Sequence, residues 1–467
     1  MKFHLKNLGA IDNATVEIAP LTIICGLNNT GKTYVTYAIY ALLSTWRELM
    51  QWRSDKSVLD ELFSNGAVSV DLERQFVNQW DDILRQANDK WRQFLPRALG
   101  APADRFKDTV VEFDICLDER WKAVPFKREF RSPEGTIVFS ADKAEGSSVI
   151  EFAALRAEQR FTPTNYALED YVVRTMLEAV LEEYIPPIFM VSTERTGAVI
   201  FKEELNLTKN KIVNLLSTLD ATKPDINPVH LFDAIYKGGY PLPVEDNVQF
   251  VNRLGSIENQ PGALFAKYPE LAQDFESIAG GRYETNKEGV TQFVPRGTHA
   301  KLRLSEASSA TRSLVVVWYW LKSQAAPGSM LMIDEPELNL HPENQRAMAR
   351  FLAKLVNHDV RIFITTHSDT MLREFNTLVM MTNPLEHVAK VKQQYSYSEK
   401  ERLNVDQVAL YVANGRPRTA TGRTRRNAIS TLERMPADPK LGLSAEIFDN
   451  TIMEMGKIQD ALRYGAL

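Results

Sequence analysis

The sequence predicts an α/β fold, a mostly parallel sheet flanked by helices that also carries an antiparallel β subdomain and a helical insertion. Three observations predict it. Short apolar runs (Leu21 to Cys25, Met330 to Ile333, Arg361 to Ile364) alternate with segments of helical spacing, the pattern of buried parallel strands under covering helices. Between 108 and 155 the period changes to short strands joined by polar turns such as Ser132-Pro133-Glu134-Gly135. The stretch from Arg47 to Trp91 is charged, Trp-punctuated and helical in spacing.

Taken in order, residues 1 to 25 hold two strand-like stretches, the second running apolar into Gly26. From Thr33 to Trp46, Val35, Ile39, Leu42 and Leu43 fall at helical spacing, so strand, Gly-rich turn and helix follow one another. A helical pattern spans 164 to 184, the strand-like PPIFMVS follows, and helices with proline-bearing loops continue to about 280. A hairpin is expected over 289 to 304, turning near Gly297. Beyond Ser305 the order is helix, strand (Met330 to Ile333), helix (342 to 356), strand (RIFITT) and helix (368 to 376). The remainder predicts strands at VAKVKQQYSYS and DQVALYVA, an arginine loop (Arg416, Arg418, Arg423, Arg425, Arg426) and a closing helix at about 443 to 463. The domain division expected is 1–46 with 300–382 as two core halves, 47–299 as an inserted antiparallel-β and helical lobe, and 383–467 as a partner-binding or oligomerisation segment.

Composition narrows the class. At 467 residues, 44% hydrophobic and 25% charged, the chain has material for two to three ordinary globular units. A net charge of −5 argues against a surface that is basic throughout, so any DNA contact must be regional. Cys25 and Cys116 are the only cysteines and neither has a metal-ligand spacing, which excludes a disulfide scaffold or a zinc protein. The amino terminus alternates like a strand and not a signal peptide, and no apolar run reaches the ~18 residues of a membrane span. A reducing cytoplasm is the expected compartment.

Gly26-Leu27-Asn28-Asn29-Thr30-Gly31-Lys32-Thr33 fits GxxxxGK[ST] and sits between an apolar strand and a helix. That context turns a short pattern into a phosphate loop, in which Asn28, Asn29, Thr30 and Gly31 would present backbone N–H groups to the phosphates of ATP. Lys32 would reach the β- and γ-phosphates, and Thr33 would hold Mg2+ through its hydroxyl. A second metal-positioning acid is then needed at the end of a neighbouring buried strand, where Asp334 stands. Glu335 is free for the separate task of orienting or deprotonating the attacking water. The strand RIFITT ends at His367, which could donate to the γ-phosphate or orient that water.

GLNNTGKT, LSEASSATRSL, IDEPELNLHP and TTHS, in that order, resemble the Walker A, signature, Walker B with D-loop, and H-loop motifs of ABC-type ATPases. The likeness is to the SMC, RecF and OLD-type group and covers residues 1 to 46 and 300 to 382. It implies an ABC-ATPase head in which two subunits sandwich two ATP molecules. Ser308 and Ser309 would then reach the γ-phosphate held by a second subunit. Glu337 to Pro342, including Asn339 and Leu340, would report the nucleotide state across that interface, and His367 would be the switch histidine. The glycine usual after the signature serine is Ala310 here. Ser192-Thr193-Glu194-Arg195 stands in the Q-loop neighbourhood without offering the family's glutamine. The insertion lacks the sustained heptads and hinge of a long SMC arm.

The stretch beyond His367 contains no Asp-x-Asp, so the Toprim nuclease of OLD-type proteins is not expected in this chain. The pattern resembles the AAA/ABC ATPases of bacterial anti-phage systems, especially the AriA subunits of PARIS systems. That resemblance implies slow, regulatory ATP hydrolysis, a homo-oligomer, a Toprim nuclease effector of AriB type as partner, and a phage trigger protein that releases it. The alternative from another class is a RecF/SMC-like DNA-repair ATPase whose arginine loop touches DNA.

Overall fold

All six residues of the strand Leu21–Gly26 are buried, as a strand covered on both faces requires. The computed structural model describes residues 1–50, 52, 56–131, 135–154, 165–202, 239–257, 262–416, 419–420, 423–424, 429–438, 440, 442–443 and 457–461. It divides into two compact units. The larger comprises His4–Ala41, Leu95–Val110 and Pro187–Leu467, the smaller Met1–Phe3, Leu42–Phe94 and Val111–Pro186.

The larger unit is organised on a sheet built from β1 (Lys2–Leu8), β2 (Ile11–Glu17), β3 (Leu21–Gly26), β4 (Ile188–Val191), β5 (Met330–Asp334), β6 (Arg361–Thr366), β7 (Val408–Arg416) and β8 (Ile429–Met435). They lie in the order β1-β2-β8-β7-β3-β6-β5-β4. Strands β7, β3, β6, β5 and β4 are mutually parallel, β8 is parallel to β2, and the β7–β8 contact is antiparallel. The expected mixed α/β architecture with a mostly parallel sheet is therefore present. Register places Asp334 opposite Thr365, Thr365 opposite Ile24, and Thr366 opposite Cys25. Three strand ends thus finish at one level, and the carboxyl ends of parallel strands are where such folds collect ligands.

Helices cover the sheet for reasons visible residue by residue. In Ser309–Ser323 every residue from Leu314 to Leu321 is buried, so this helix is packed on all sides. Pro342–Asn357 starts with Pro342 at its first position, behind a His341 cap that accepts from the Glu343 N–H. Its inner face buries Met348, Phe351, Leu352 and Leu355. Its outer face carries Arg346 on Glu374, Arg350 on Glu401, and Lys354 between Glu401 and Asp274. Asp369–Met380 is capped by Ser368, whose hydroxyl accepts from the Met371 N–H.

In the larger unit one sequence expectation is extended and two differ from the structure. The hairpin over 289–304 is present, Thr291–Pro295 against Leu302–Arg303 with Gly297 in the connection, and Gly281–Thr285 joins it to make a three-stranded antiparallel sheet. Its first turn falls at residues 286–290, where the Asn286 side chain accepts from the N–H groups of Glu288 and Val290. Residues 388–398, read as a strand, begin inside the helix Glu386–Gln394. Val388 and Val391 are three apart, the chain is rich in Lys and Gln, and Lys390 pairs with Glu386 one turn back, which favours the helix. In the arginine loop, Arg416 is the last residue of the nine-residue strand β7 and Arg423 falls in a two-residue strand, whereas Arg418, Arg425 and Arg426 lie outside the described residues, as does most of the closing helix at 443–463.

The smaller unit carries a four-stranded antiparallel sheet in the order Ala67–Asp71, Val149–Ala154, Ile137–Lys143, Phe126–Arg131. The strand Ala67–Asp71 alternates exposed and buried residues inside a region read as wholly helical. Phe139 anchors this unit against Phe152 and edge-on against Tyr171 of the helix Asn165–Leu181, with ring centroids 5.7 and 4.9 Å apart.

Candidate active site

Gly26 ends β3 with φ 141°, and a Cβ there would sit 2.7 Å from the Ala413 carbonyl oxygen on β7. Gly31 has φ 91°, and its Cβ would meet Ile11 at 2.9 Å. Only glycine permits this turn to lie so close to the neighbouring strands. Asn29 between them takes φ 62°, a left-handed conformation that asparagine tolerates best among side chains of its size. The loop is closed from inside: Thr30 Oγ1 donates to the Leu27 carbonyl (2.8 Å), and Lys32 Nζ donates to the carbonyls of Gly26 (2.9 Å) and Leu27 (2.8 Å).

Among the described residues, nothing accepts a hydrogen bond from the backbone N–H groups of Asn28 to Thr33. These donors, at the opening of the 18-residue helix Lys32–Leu49, form an anion cradle waiting for acceptors. Burial lowers the pKa of the Lys32 ammonium, with Glu335 and Asp334 pulling the other way. The residues present therefore fit a polyphosphate, for which Lys32 would exchange its loop carbonyls.

Asp334 ends β5 fully buried, and β6 supplies its partner: Thr365 Oγ1 donates to Asp334 Oδ1. Thr33 Oγ1, from the helix after the loop, donates to Asp334 Oδ2 at 3.3 Å. The hydroxyl and the acid named for the metal thus come together across 301 residues of chain. Desolvation raises the Asp334 carboxyl to about 6, the nearby Glu335 and Glu194 charges add to this, and the Thr365 hydrogen bond opposes it. A buried carboxylate that is costly to ionise is one that a divalent cation would relieve. Among the described residues no cluster of three or more His, Cys, Asp or Glu is placed to hold a metal by itself. A hydroxyl, one carboxylate, nucleotide oxygens and water make the kind of partial shell Mg2+ accepts.

Glu335 follows in a left-handed conformation, φ 55°. Its N–H donates to the Thr365 carbonyl (3.1 Å) and its side chain meets His367, with Oε1 3.2 Å from Nδ1. Both side chains keep access to solvent, as groups handling a water molecule must. Glu337 behaves differently from its place in the sequence. Expected in the segment facing a second subunit, it is 5% exposed and its Oε1 accepts from Thr366 Oγ1 (2.7 Å), His367 N (2.9 Å) and Ser368 N (3.1 Å). An anion at the start of Asp369–Met380 is stabilised by that helix end, so Glu337 fixes the His367 backbone from within the chain.

Ser308 and Ser309 are elsewhere. Ser308 Oγ caps the helix Ser309–Ser323 by accepting from the Thr311 N–H (3.1 Å), and Ser309 Oγ accepts from Arg312 (3.2 Å). No hydrogen bond among the described residues joins either serine to the phosphate loop. Asn339 is exposed with φ 62°, while Leu340 is buried.

Three residues take part in ways the sequence reading did not assign. Arg195, the last residue of the stretch placed in the Q-loop neighbourhood, is fully buried and bonds the carbonyls of Asp334 (2.8 Å) and Glu335 (2.7 Å). Tyr37, one turn after Thr33, donates to Glu194 (3.1 Å), and burial raises its hydroxyl pKa far above the ordinary value. Thr365 was visible in TTHS but overshadowed by the histidine.

A P-type glycine turn, a lysine beneath it and a strand-end acid facing the loop threonine define a nucleotide-binding α/β protein of the phosphate-loop class. A family model described as "AAA ATPase domain" matches residues 1–120 and 170–372, well over half of the chain, and the protein belongs to that family. No curated protein matches the chain. Solved structures similar to it include three SMC heads. One, bound to the C-terminal winged-helix domain of ScpA, is 14% identical over 93% of this chain and 97% of that one, with a TM-score of 0.34. A second, from Pyrococcus furiosus with an extended coiled coil and the C-terminal domain of ScpA, is 14% identical over 98% of both chains, TM-score 0.32. The third, from Thermotoga maritima, is 10% identical over 93% of this chain and 98% of that chain, TM-score 0.30. No described helix is long and apolar enough to cross a membrane.

Proposed function

We propose that this AAA ATPase is an ABC-type enzyme that binds and slowly hydrolyses ATP, and that it uses the nucleotide state to hold or release a protein partner. The observation that carries the catalytic half is the convergence of Thr33, Asp334, Glu335 and His367 at the ends of adjacent parallel strands. When bound, Mg2+·ATP would supply the phosphoanhydride and the Lewis acid. The N–H groups of residues 28–33 and the Lys32 ammonium would cradle the phosphates. Thr33 and Asp334 would hold the metal. Glu335 orients a water and takes its proton, and His367, 3.2 Å away, steadies that carboxylate. Ser308 and Ser309, exposed at a helix start and without a bond to their own loop, are available to the nucleotide of a second subunit.

The biological half rests on the motif set shared with AriA-type ATPases: in an anti-phage system, the homo-oligomer would retain a Toprim nuclease and let it go when a phage trigger protein is sensed. Affinity purification of the native protein with its genomic neighbours, followed by mass spectrometry and sizing, tests it. The expected result is an oligomer carrying a protein with a Toprim acid cluster, lost when the trigger is expressed. Tight, salt-sensitive DNA binding with no protein partner would instead support the repair-type alternative.

A further inference from the structure

We propose that Arg195 is a positioning residue that aims the Glu335 carboxylate and makes that aim depend on where the helix Ser309–Ser323 sits. The inference rests on the ATPase reading above and adds to it a route by which the signature serines govern hydrolysis.

Arg195 is 1% exposed, and among the described residues its four hydrogen bonds all go to backbone carbonyls: Nε to Ser313 (3.0 Å), Nη1 to Ser192 (2.9 Å) and Asp334 (2.8 Å), and Nη2 to Glu335 (2.7 Å). A buried guanidinium is ordinarily neutralised by a carboxylate in direct contact. Here its hydrogen bonds are spent on backbone from three elements: the exit of β4, the signature helix, and the exit of β5. Burial lowers its pKa to about 10, with Asp334, Glu337 and Glu335 opposing, so it is cationic at neutral pH. The planar fork is what allows one side chain to reach three elements at once.

What it holds at β5 matters for the reaction. Glu335 is not a glycine, yet its φ of 55° places it in the left-handed region, a conformation kept only when its surroundings over-determine it. Three groups do so: the Thr365 carbonyl accepts from the Glu335 N–H, and both Arg195 and the Leu338 N–H (3.1 Å) donate to the Glu335 carbonyl, Arg195 being the one that joins it to another element. That backbone state directs the carboxylate to His367. The signature helix is tied to the same strand exit twice, by Ser313 O to Arg195 and by Ser313 Oγ to the Leu338 carbonyl (3.2 Å). Ser313 lies one turn beyond Ser309, so displacement of the serines reaches Glu335 through two bonds and one side chain. A merely structural Arg195 would support the fold without distinguishing binding from chemistry.

The test is a double-mutant cycle on the full-length protein, reading ATP affinity and kcat for Arg195→Met, Glu335→Gln and both together. Arg195→Met is expected to lower kcat at least ~30-fold while ATP affinity stays within ~3-fold, and the double variant should match Glu335→Gln alone, because residues acting as one unit are not additive. Losses that multiply, or a kcat within ~3-fold of wild type, overturn the proposal. Should Arg195→Met fold poorly, Arg195→Lys keeps the cation and loses the fork. It should give a kcat at least ~5-fold down with ATP affinity unchanged, and full activity in it overturns the role equally. Absence of turnover in the wild type would sink the ATPase reading and this role together, whereas normal wild-type turnover with additive losses would sink this role alone.

Discussion

Replacing Asp334 by Asn should make the nucleotide-free protein more stable at neutral pH while removing its ATP turnover. Burial pushes this carboxyl up to about 6 in the folded protein from 3.8 in a free side chain. Because the folded value is the higher one, folding favours the protonated form, and the stability this group contributes is fully present below pH ~4 and lost as pH rises through ~6. Two pKa units at 1.36 kcal/mol each set the burden of the ionised carboxylate at about 3 kcal/mol above pH 7. Asn cannot ionise, and its amide oxygen can keep the bond from Thr365 while its NH2 faces Thr33, whose hydroxyl is able to turn and accept. Chemical denaturation of both proteins without nucleotide should therefore show the variant ahead by up to about 3 kcal/mol at pH ~7.5, shrinking to about 1 kcal/mol at pH ~4.5. A variant that is less stable at neutral pH, or a gain that does not change with pH, would refute the reasoning. The same substitution should abolish Mg2+-dependent turnover, since the ion loses its protein carboxylate.

Lys32→Ala should weaken ATP binding on the order of 100-fold, about 3 kcal/mol, from the loss of charge-assisted hydrogen bonds to phosphate; equilibrium binding of a fluorescent ATP analogue checks it, and retained tight binding would remove Lys32 from the cradle. Mixing Lys32→Ala with Ser309→Arg subunits should recover part of the turnover that neither has alone if the signature acts in trans. Ser309 is preferred over Ser308 because Ser308 caps its helix, a contribution of about 1 kcal/mol. No recovery would mean each site is complete within one chain. Glu401→Gln should cost about 2 kcal/mol in unfolding measurements, because the nearly buried carboxylate accepts from Arg350, Lys354 and the Ser398 N–H while both cations remain partly solvated. A change under ~0.5 kcal/mol would show the network to be incidental.

The parts of this architecture legible in sequence were those written in contiguous residues. An apolar run into a glycine turn, and an apolar run into Asp334 and Glu335, mark strand ends that parallel pairing then brings level. What stayed hidden depends on distance in the chain. Arg195 acts on carbonyls 139 and 140 residues away and contacts them through backbone, so no partner residue type announces it. Glu337 stands two residues after Glu335, and only the turn of the chain at Glu335 shows that it faces the Thr366–Ser368 backbone and not the other two acids. The helix Glu386–Gln394 has no buried residue, so no apolar stripe was there to set its period. β7 and β8 complete the sheet beside β3 from the far end of the chain, a pairing that local pattern cannot reveal.

The central claim is that a water-handling carboxylate, separate from the metal-holding one, sits at the end of β5. Steady-state ATP turnover of Glu335→Gln beside wild type, with bound ATP measured on the same samples, tests it most directly. The account predicts ATP affinity within a few-fold of wild type, turnover lower by at least ~100-fold, and nucleotide retained as ATP in a larger assembly. Turnover at the wild-type rate in Glu335→Gln would contradict it.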